Sequence, residues 1–391
     1  QATFENVGEI DQPEVRVRYR LAGPAPDTTV VYQDSLVVAL DAGAGPLPVS
    51  FAALTLESGG TYTMVASVGL PGDLSPVNDQ VSGEFELLLP LAGSYDVGNG
   101  APPPFDSLRD ALARLRHVGA SGPVVFRLVD SLYTSPSEEI PVVIAPFPGA
   151  GFDRTLTIRP SRPGTAIRGA SLTAVVIFDD ADHVILEGSS GGDGTRDLTI
   201  ANESTSPGTA AIWMKSSGPG SGAQHNGVHH CHLQAGIDQS SGNGATFGIF
   251  SGGPSIAAGS GGAGNDHNVF RGNSIRRARW GVYLAGDAQE LNRGNTVEGN
   301  VVGPDDFGGD QIGQGGIILR HQDLAVVTGN EIRRVGVLSG QAAAGADRVG
   351  IGLGGEGWPP SLSPVTQSRI SGNLIHDLAD EKTFSVAGIV V

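Results

Sequence analysis

The sequence predicts an all-β protein in two parts, an antiparallel β-sandwich followed by a long parallel β-helix. Two observations lead to this prediction. Near the start of the chain, the segments VRVRYRL and YTMVASV alternate apolar and polar residues, which is the pattern of half-buried strands. Beyond residue 200, two short signatures return at a nearly constant spacing, which indicates that each repeat forms one coil of a solenoid.

Residues 1–92 form the predicted sandwich. Turn segments such as LAGPAPD, DAGAGP, ESGG and LPGD separate roughly seven strands, the number found in immunoglobulin-like (Ig-like) sandwiches. The pattern NVGEIDQPEVRVRYRL, LESGGTYTMVASV and LSPVNDQVSGEFEL resembles the cell-adhesion-related Ig-like domains of bacteria. This resemblance implies a spacer or an adhesion module. Asp73, Asn78 and Asp79 offer oxygen ligands for Ca²⁺, although a polar loop between strands is the preferred interpretation.

Residues 93–122 are predicted to be a linker and a capping helix. The Gly- and Pro-rich segment LAGSYDVGNGAPPP leads into FDSLRDALARLRHVGASG, which has helical periodicity. Asp106 or Ser107 can cap this helix, and Gly119 can end it. We expect its apolar face to cover an exposed edge of the region that follows, and that face consists of Leu108, Leu112 and Leu115.

Residues 123–391 contain the repeats. The signature apolar-x-Gly-Asn-x-apolar occurs as FRGNSI, VEGNVV, VTGNEI and ISGNLI, and VHHCHL fits it with Cys231 in the asparagine position. The signature small-apolar-x-apolar recurs every 33 to 38 residues, anchored at Ile212, Ile249, Val282, Ile317, Ile351 and Ile389. Asparagine tolerates a left-handed backbone and can hydrogen-bond to its copy in the next coil. We therefore expect a structural ladder of Asn273, Asn300, Asn330 and Asn373.

With these motifs, residues 93–391 resemble the right-handed parallel β-helices of the pectate-lyase-like type that occur in bacterial surface and secreted proteins. The resemblance implies the fold and a coil array that could continue or stack beyond residue 391. It does not imply an activity, because lyases, hydrolases, adhesins and phage tailspikes share this fold.

Acidic segments supply the candidate catalytic groups. In GPDDFGGD, Asp305 and Asp306 could act as acid and base, with Arg277 nearby in the coil register. The other motifs of polygalacturonase-like enzymes are missing, and Arg320–His321 follows where Gly-His-Gly would be required. The segment FDDADHVILEG lacks the arginine context of a pectate lyase. Acidic turns on a solvated solenoid explain both segments, so the sequence favours a protein without enzymatic activity.

The segment HNGVHHCHL raises the question of a metal site, because it contains four histidines and Cys231. The coil register points Val228, Cys231 and Leu233 inward, which separates the thiol from at least some of the histidines. We therefore predict a buried cysteine, solvent-facing histidines and no metal. No cofactor is expected other than Ca²⁺. Three tryptophans are candidates for stacking on sugars, although their positions in the signature differ and need not align them in a row: Trp213, Trp280 and Trp358.

Arginines recur at one corner of the coil. Set on the Gly-Asn register, consecutive coils carry Arg276–Arg277, Asp305–Asp306, Arg333–Arg334 and His376–Asp377. Opposite charges one coil apart can pair, which predicts an alternating ladder that stabilises stacking. The alternative is a binding site in which Arg276, Arg277, Arg333 and Arg334 hold the carboxylates or sulfates of an acidic glycan.

The formal net charge of −17 disfavours nucleic acid and anionic membranes as partners. The chain has one cysteine and no apolar run long enough to span a membrane. It begins with QATFENVGEI and ends with AGIVV, both strand-like, so we expect a fragment or a subunit that self-associates through open strand edges.

These features predict an extracellular or cell-surface protein with a structural or adhesive function, such as a subunit of a fibre or surface layer. The alternative is a glycan-binding protein or a carbohydrate-active enzyme, either a polysaccharide lyase or a glycoside hydrolase, acting on an acidic polysaccharide.

Overall fold

The structure is a computed structural model that describes residues 1–71, 76–99, 105–236, 245–308, 310–337, 346–357, 363–381 and 384–391. The chain divides into two compact units, Gln1–Leu89 and Pro90–Val391. Within the described ranges one α-helix occurs, and no helix is long and apolar enough to cross a membrane. The prediction of an all-β chain is confirmed.

The first unit contains a four-stranded and a two-stranded antiparallel sheet. The larger sheet has the strand order Val30–Leu40, Gln12–Ala22, Gly60–Gly69 and Gln80–Leu87. The smaller sheet pairs Ala2–Phe4 with Leu47–Val49, and a 3₁₀ turn spans Pro76–Asn78. Val15, Val17 and Leu21 are buried, as the alternation predicts. The described strands are fewer than the roughly seven expected, and an Ig-like assignment stays a prediction; Asp73 lies outside the described residues.

The second unit begins earlier than the sequence indicates. Leu91–Val97, most of which we assigned to a linker, is a strand that pairs in parallel with Ala120–Leu128. The turn-like composition of this segment does not prevent pairing, because Leu91 and Val97 point into the apolar core and are buried there.

The capping helix spans Leu108–Val118. The Ser107 side chain accepts a hydrogen bond from the Asp110 amide, and the helix ends at Gly119, whose φ is 76°. The buried Glu138 carboxylate adds a second cap, accepting from the Leu108 amide at 2.6 Å. The buried face consists of Leu108, Ala111 and Leu115, and it closes the first end of the coil interior.

Three long parallel sheets form the walls of the β-helix. The first sheet contains Leu91–Val97, Ala120–Leu128, Leu156–Pro160, Val184–Glu187, Gly227–His229, Val269–Arg271, Thr296–Glu298, Val326–Thr328 and Arg369–Ser371. The second contains Leu132–Tyr133, Thr165–Gly169, Leu198–Asn202, Cys231–Gln234, Ser274–Arg276, Val301–Val302, Glu331–Arg333 and Leu374–His376. The third contains Val142–Ile144, Ala174–Asp179, Thr209–Lys215, Thr246–Gly252, Ala278–Ala285, Ile312–Arg320, Arg348–Leu353 and Val386–Val390.

Two short parallel sheets lie outside these walls. One contains Asn292–Arg293, Gln322–Asp323 and Val365–Thr366, and the other contains Gly336–Val337 and Ala379–Asp380.

The glycine of the second signature is required by a close approach between coils. A Cβ atom at Gly281 would lie 2.4 Å from Val302 Cγ1 and 2.5 Å from the Gly316 carbonyl oxygen. Equivalent contacts restrict Gly248, Gly316 and Gly350. The small residue of this signature is therefore glycine where adjacent coils approach so closely that no side chain fits.

Asparagines form two ladders inside the coils. In the ladder expected from the Gly-Asn motif, the Asn273 side chain donates to Asn300 at 3.0 Å, and Asn300 and Asn330 each donate to the next asparagine at 2.9 Å. A second ladder, which the sequence motifs did not reveal, precedes the first sheet. It joins Asn226, Asn268, Asn295 and Gln322 through amide–side chain and side chain–side chain hydrogen bonds.

Candidate functional site

Loops concentrate around the third sheet. The connections from the first to the second sheet are short. One consists of residue 230 alone, and others consist of the two residues 272–273 or 299–300. The connections that leave the third sheet are longer and vary from coil to coil, as 216–226, 253–268 and 286–291 illustrate. Since insertions gather on one side of a repeat array when that side carries function, the outer face of the third sheet is the candidate site.

An aromatic row lies on this outer face. Trp213, Phe250 and Tyr283 are neighbours in register on successive strands and point away from the coil interior. All three are nevertheless at most 5% exposed, because the loops cover them. Trp280, on the same face, is 1% exposed. Trp213 and Trp280 therefore form a second apolar core instead of a platform for sugars, and Trp358 lies outside the described residues.

A polar network extends from this row. The Tyr283 hydroxyl donates to Glu356 Oε1, and Arg320 Nη1 lies 3.3 Å from the Tyr283 oxygen and 3.9 Å from the same carboxylate oxygen. Arg320 also donates to the Ala258 carbonyl at 2.8 Å and to Ser363 Oγ at 3.1 Å. Burial, followed by the charge of Glu356, raises the pKa of Tyr283 well above its ordinary value, so the phenol remains a donor.

A pocket of about 140 Å³ adjoins this network. Arg320, His321 and Asp287 supply its charged and polar groups, and glycine and alanine residues from 258–261 and 285–288 form the rest of its wall. Burial and the charge of Arg320 lower the pKa of His321, which favours the neutral imidazole. His321 Nδ1 is buried and has no hydrogen-bond partner among the described residues. The pocket thus presents a cation, a carboxylate and an imidazole to a small ligand.

Larger cavities lie elsewhere in the chain. One of about 200 Å³ separates the capping helix from Val142–Ile144 and has mainly apolar walls, with Arg109, Arg116 and Glu139 as its charged residues. Another, of about 390 Å³, lies in the first unit and includes Asn78 and Asp79. Neither combines a cation, a carboxylate and an imidazole as the third-sheet pocket does.

The arginine corner contains the alternating charges expected from the register. Asp305 lies 3.3 Å from Arg276 of the preceding coil and also pairs with Arg333 of the following coil. Arg334 pairs with Asp377. Arg277 has a left-handed backbone, with φ of 54°, and is exposed; within the described part of the chain neither its side chain nor Asp306 forms an ion pair. The structure thus brings Arg276, Asp305 and Arg333 together and leaves Arg277 and Asp306 out.

The acidic segment FDDADHVILEG does not converge on one site. Asp179 pairs with Lys215 at 2.6 Å, whereas Asp180 and Asp182 accept hydrogen bonds from the Ser217 and Gln224 amides at 2.9 Å. Each carboxylate is therefore used to join neighbouring coils.

The histidines around Cys231 have two structural roles. His225 and His230 take left-handed φ values of 56° and 52°, in the turn position that glycine occupies in other coils. His229 and His230 contact the two oxygens of Glu187 at 3.6 and 2.9 Å. Burial opposes the ionisation of Glu187, but hydrogen bonds from His229, the Ser189 amide and His230 lower its pKa to about 2.

The prediction of solvent-facing histidines was wrong for His229, which is 8% exposed. Its ring folds over Gly227, where a Cβ atom would lie 2.5 Å from His229 Nε2, and so it escapes solvent. Cys231 is fully buried, as expected. Among the described residues no group of histidine, cysteine and acidic side chains could hold a metal ion.

The fold and the site define a parallel β-helix with a loop-covered polar pocket. No protein-family model matches the sequence, and no curated protein matches it either. Among solved structures, the chain is similar to the GH136 lacto-N-biosidase from Eubacterium ramulus, with 11% sequence identity and a TM-score of 0.42. The match covers 73% of this chain and 68% of the other. A likeness this distant carries no argument about activity, which must come from the site itself.

Proposed function

We propose that this chain is a glycan-binding protein whose ligand site is the third-sheet pocket of Arg320, His321 and Asp287. The observation that carries the proposal is the Tyr283–Arg320–Glu356 network, held on a loop-covered outer face directly beside this pocket. Such a network is not needed for coil stacking, which the asparagine ladders and backbone pairing already provide.

The chemistry of the pocket suits a neutral sugar. Arg320 donates hydrogen bonds, Asp287 accepts them, and neutral His321 can do both, which matches the mixed donors and acceptors of sugar hydroxyls. Its volume of about 140 Å³ is below the roughly 300–1,000 Å³ of pockets for drug-sized ligands, so it suits one ring or the end of a chain. The net charge of −17 weakens attraction for polyanions.

This proposal changes the site expected from the sequence. Arg276 and Arg333 already share Asp305, so this carboxylate neutralises part of the positive charge that an acidic glycan would need. A glycan ligand also favours an extracellular or cell-surface location, which is part of the proposal.

Direct binding tests the proposal. The purified chain would be applied to an array of neutral and acidic oligosaccharides, and hits would be measured by calorimetry. We expect Asp287→Asn and Arg320→Gln to weaken binding about tenfold or more, which is about 1.4 kcal/mol, while Arg276→Gln at the arginine corner keeps wild-type affinity. Unfolding midpoints of each variant separate loss of binding from loss of fold.

The reverse pattern, in which Arg276→Gln alone abolishes binding, would place the ligand at the arginine corner and contradict the proposal. A chain that binds no glycan and assembles into fibres would favour the structural or adhesive alternative.

A further inference from the structure

Three histidines form a stacked column at the corner between the third and first sheets. The ring centroids of His183 and His225 are 5.1 Å apart and those of His225 and His267 are 4.9 Å apart, with interplanar angles of 6° and 4°. We call these residues the histidine column. Phe152 packs edge-on against the rings of His183 and His225 at 4.7 and 4.9 Å.

The backbone fixes the spacing of the column. All three histidines have left-handed φ values between 55° and 59°. The amides of His183, His225 and His267 each donate to a carbonyl of the next coil, at 3.2, 2.9 and 2.8 Å. Because strands stack about 4.8 Å apart, these inter-coil hydrogen bonds hold the three histidine backbones one coil apart, which places their rings at stacking distance.

We propose that the histidine column is an acid-sensitive joint of the β-helix. Neutral imidazoles stack and hold the corner closed. When neighbouring rings are protonated, like charges face each other at ring-stacking distance and the corner loosens.

The carboxylates near the column offset the repulsion between its protonated rings only in part. Asp182 and Asp266 act on His225, and both already accept backbone hydrogen bonds, from Gln224 and Arg293. Asp180 adds negative charge near Asp182. Beside Phe152, Asp153 and Arg154 pair with each other at 3.3 Å.

The direction of the pH effect follows from His225. Burial, then the charges of His267 and His183, lower its pKa, and Asp182 and Asp266 only partly oppose this. The unfolded chain therefore binds the proton more readily than the folded chain does. The stability that this group contributes is complete above the ordinary histidine pKa and is lost as the pH falls through the lower folded value.

The joint lies where two third-sheet loops end. Loop 216–226 contains His225, and loop 253–268 contains His267 together with residues that line the pocket. Loosening of the column therefore frees these two loops. The effect on the fold is independent of whether the pocket binds a glycan.

The test compares the full chain at about pH 7.5 and about pH 5, on either side of the ordinary histidine pKa. Amide hydrogen exchange, corrected for intrinsic rates, should rise in 216–226 and 253–268 at the lower pH. His225→Asn, which tolerates the left-handed backbone, should lose this rise. His117→Gln, an exposed histidine on the capping helix, should keep it.

A rise that is equal in wild type and His225→Asn would overturn the proposal. If that variant does not fold, NMR titration of the wild-type rings decides the matter. We expect the His225 resonance to titrate below about 6.5 and to shift as its neighbours titrate. Three independent titrations at the ordinary midpoint would also overturn it.

Discussion

Cys231 occupies the position below Asn273 in the first asparagine ladder. Its amide donates to Asn273 Oδ1 at 2.9 Å, as the Asn273 amide does to Asn300. The Cys231 thiol lies 4.0 Å from the Leu186 carbonyl. In the next coil, the equivalent contact is the hydrogen bond that Asn273 donates to the Val228 carbonyl at 2.8 Å. At Cys231 the ladder therefore keeps its backbone hydrogen bond but has a thiol in place of the side-chain amide.

Cys231→Asn should therefore extend the ladder by one step. The new amide can donate to the Leu186 carbonyl and to Asn273, and we expect the free energy of unfolding to rise by up to about 1 kcal/mol. Urea denaturation measures the change, with Cys231→Ala as the control that removes the thiol without adding an amide. An asparagine variant less stable than the alanine variant would contradict this reading.

Removing a central step should be costly. Asn300 is fully buried, donates to Phe270 and Asn330, and accepts from Asn273. Asn300→Ala leaves several buried groups unpaired, so we expect a loss of about 3 kcal/mol or more in the free energy of unfolding. Asn373→Ala, at the partly exposed end of the ladder, is the matched control and should lose clearly less. Equal losses at the two positions would argue against the ladder as a source of stability.

The glycine signature predicts a steric effect. Gly281→Ala forces a Cβ atom against Val302 and Gly316, and the backbone cannot yield without disturbing two coils. We expect a loss of about 1–3 kcal/mol or more, as for other overpacked cores. Gly259→Ala, where a Cβ atom meets nothing within 4 Å, should leave the melting temperature nearly unchanged. A Gly281→Ala variant as stable as the wild type would show that this position can accommodate a side chain after all.

The arginine corner should contribute little to stability. Asp305 has a 69% exposed side chain, and exposed ion pairs are worth about 0–1 kcal/mol. Asp305→Asn should lower the free energy of unfolding by less than about 1 kcal/mol, and high salt should erase the difference. A larger loss that persists in high salt would give this corner an importance that its exposure does not explain.

The sequence predicts the coils well because their rules are local. Glycine before Asn273 and the alternation around Val17 reflect constraints within a few residues, and the structure contains both features. The second ladder cannot be found with the Gly-Asn motif, because histidine takes the place of glycine before Asn226 and Asn268. A search for any left-handed-tolerant residue followed by asparagine would have found it.

The pocket could not be predicted in the same way. Tyr283, Arg320 and Glu356 come from different coils, and variable insertions hide which of their side chains meet. Tyr283 lies within the small-apolar-x-apolar signature and Arg320 directly follows it, but that position alone does not distinguish solvent from a loop-covered face. The burial of Trp213 likewise involves residues distant in the sequence, such as Ile256, which belongs to the same buried cluster.

Gly294 sets the end of the histidine column. A Cβ atom there would lie 2.4 Å from His267 Nδ1, so the ring of His267 rests directly on the bare backbone of the next coil. A fourth ring cannot be added by a single substitution at this site, because the new side chain and His267 would compete for the same space. Positions 267 and 294 are therefore expected to vary together among descendants of this chain. A side chain at position 294 requires a change at position 267, so these two residues jointly set the number of stacked rings.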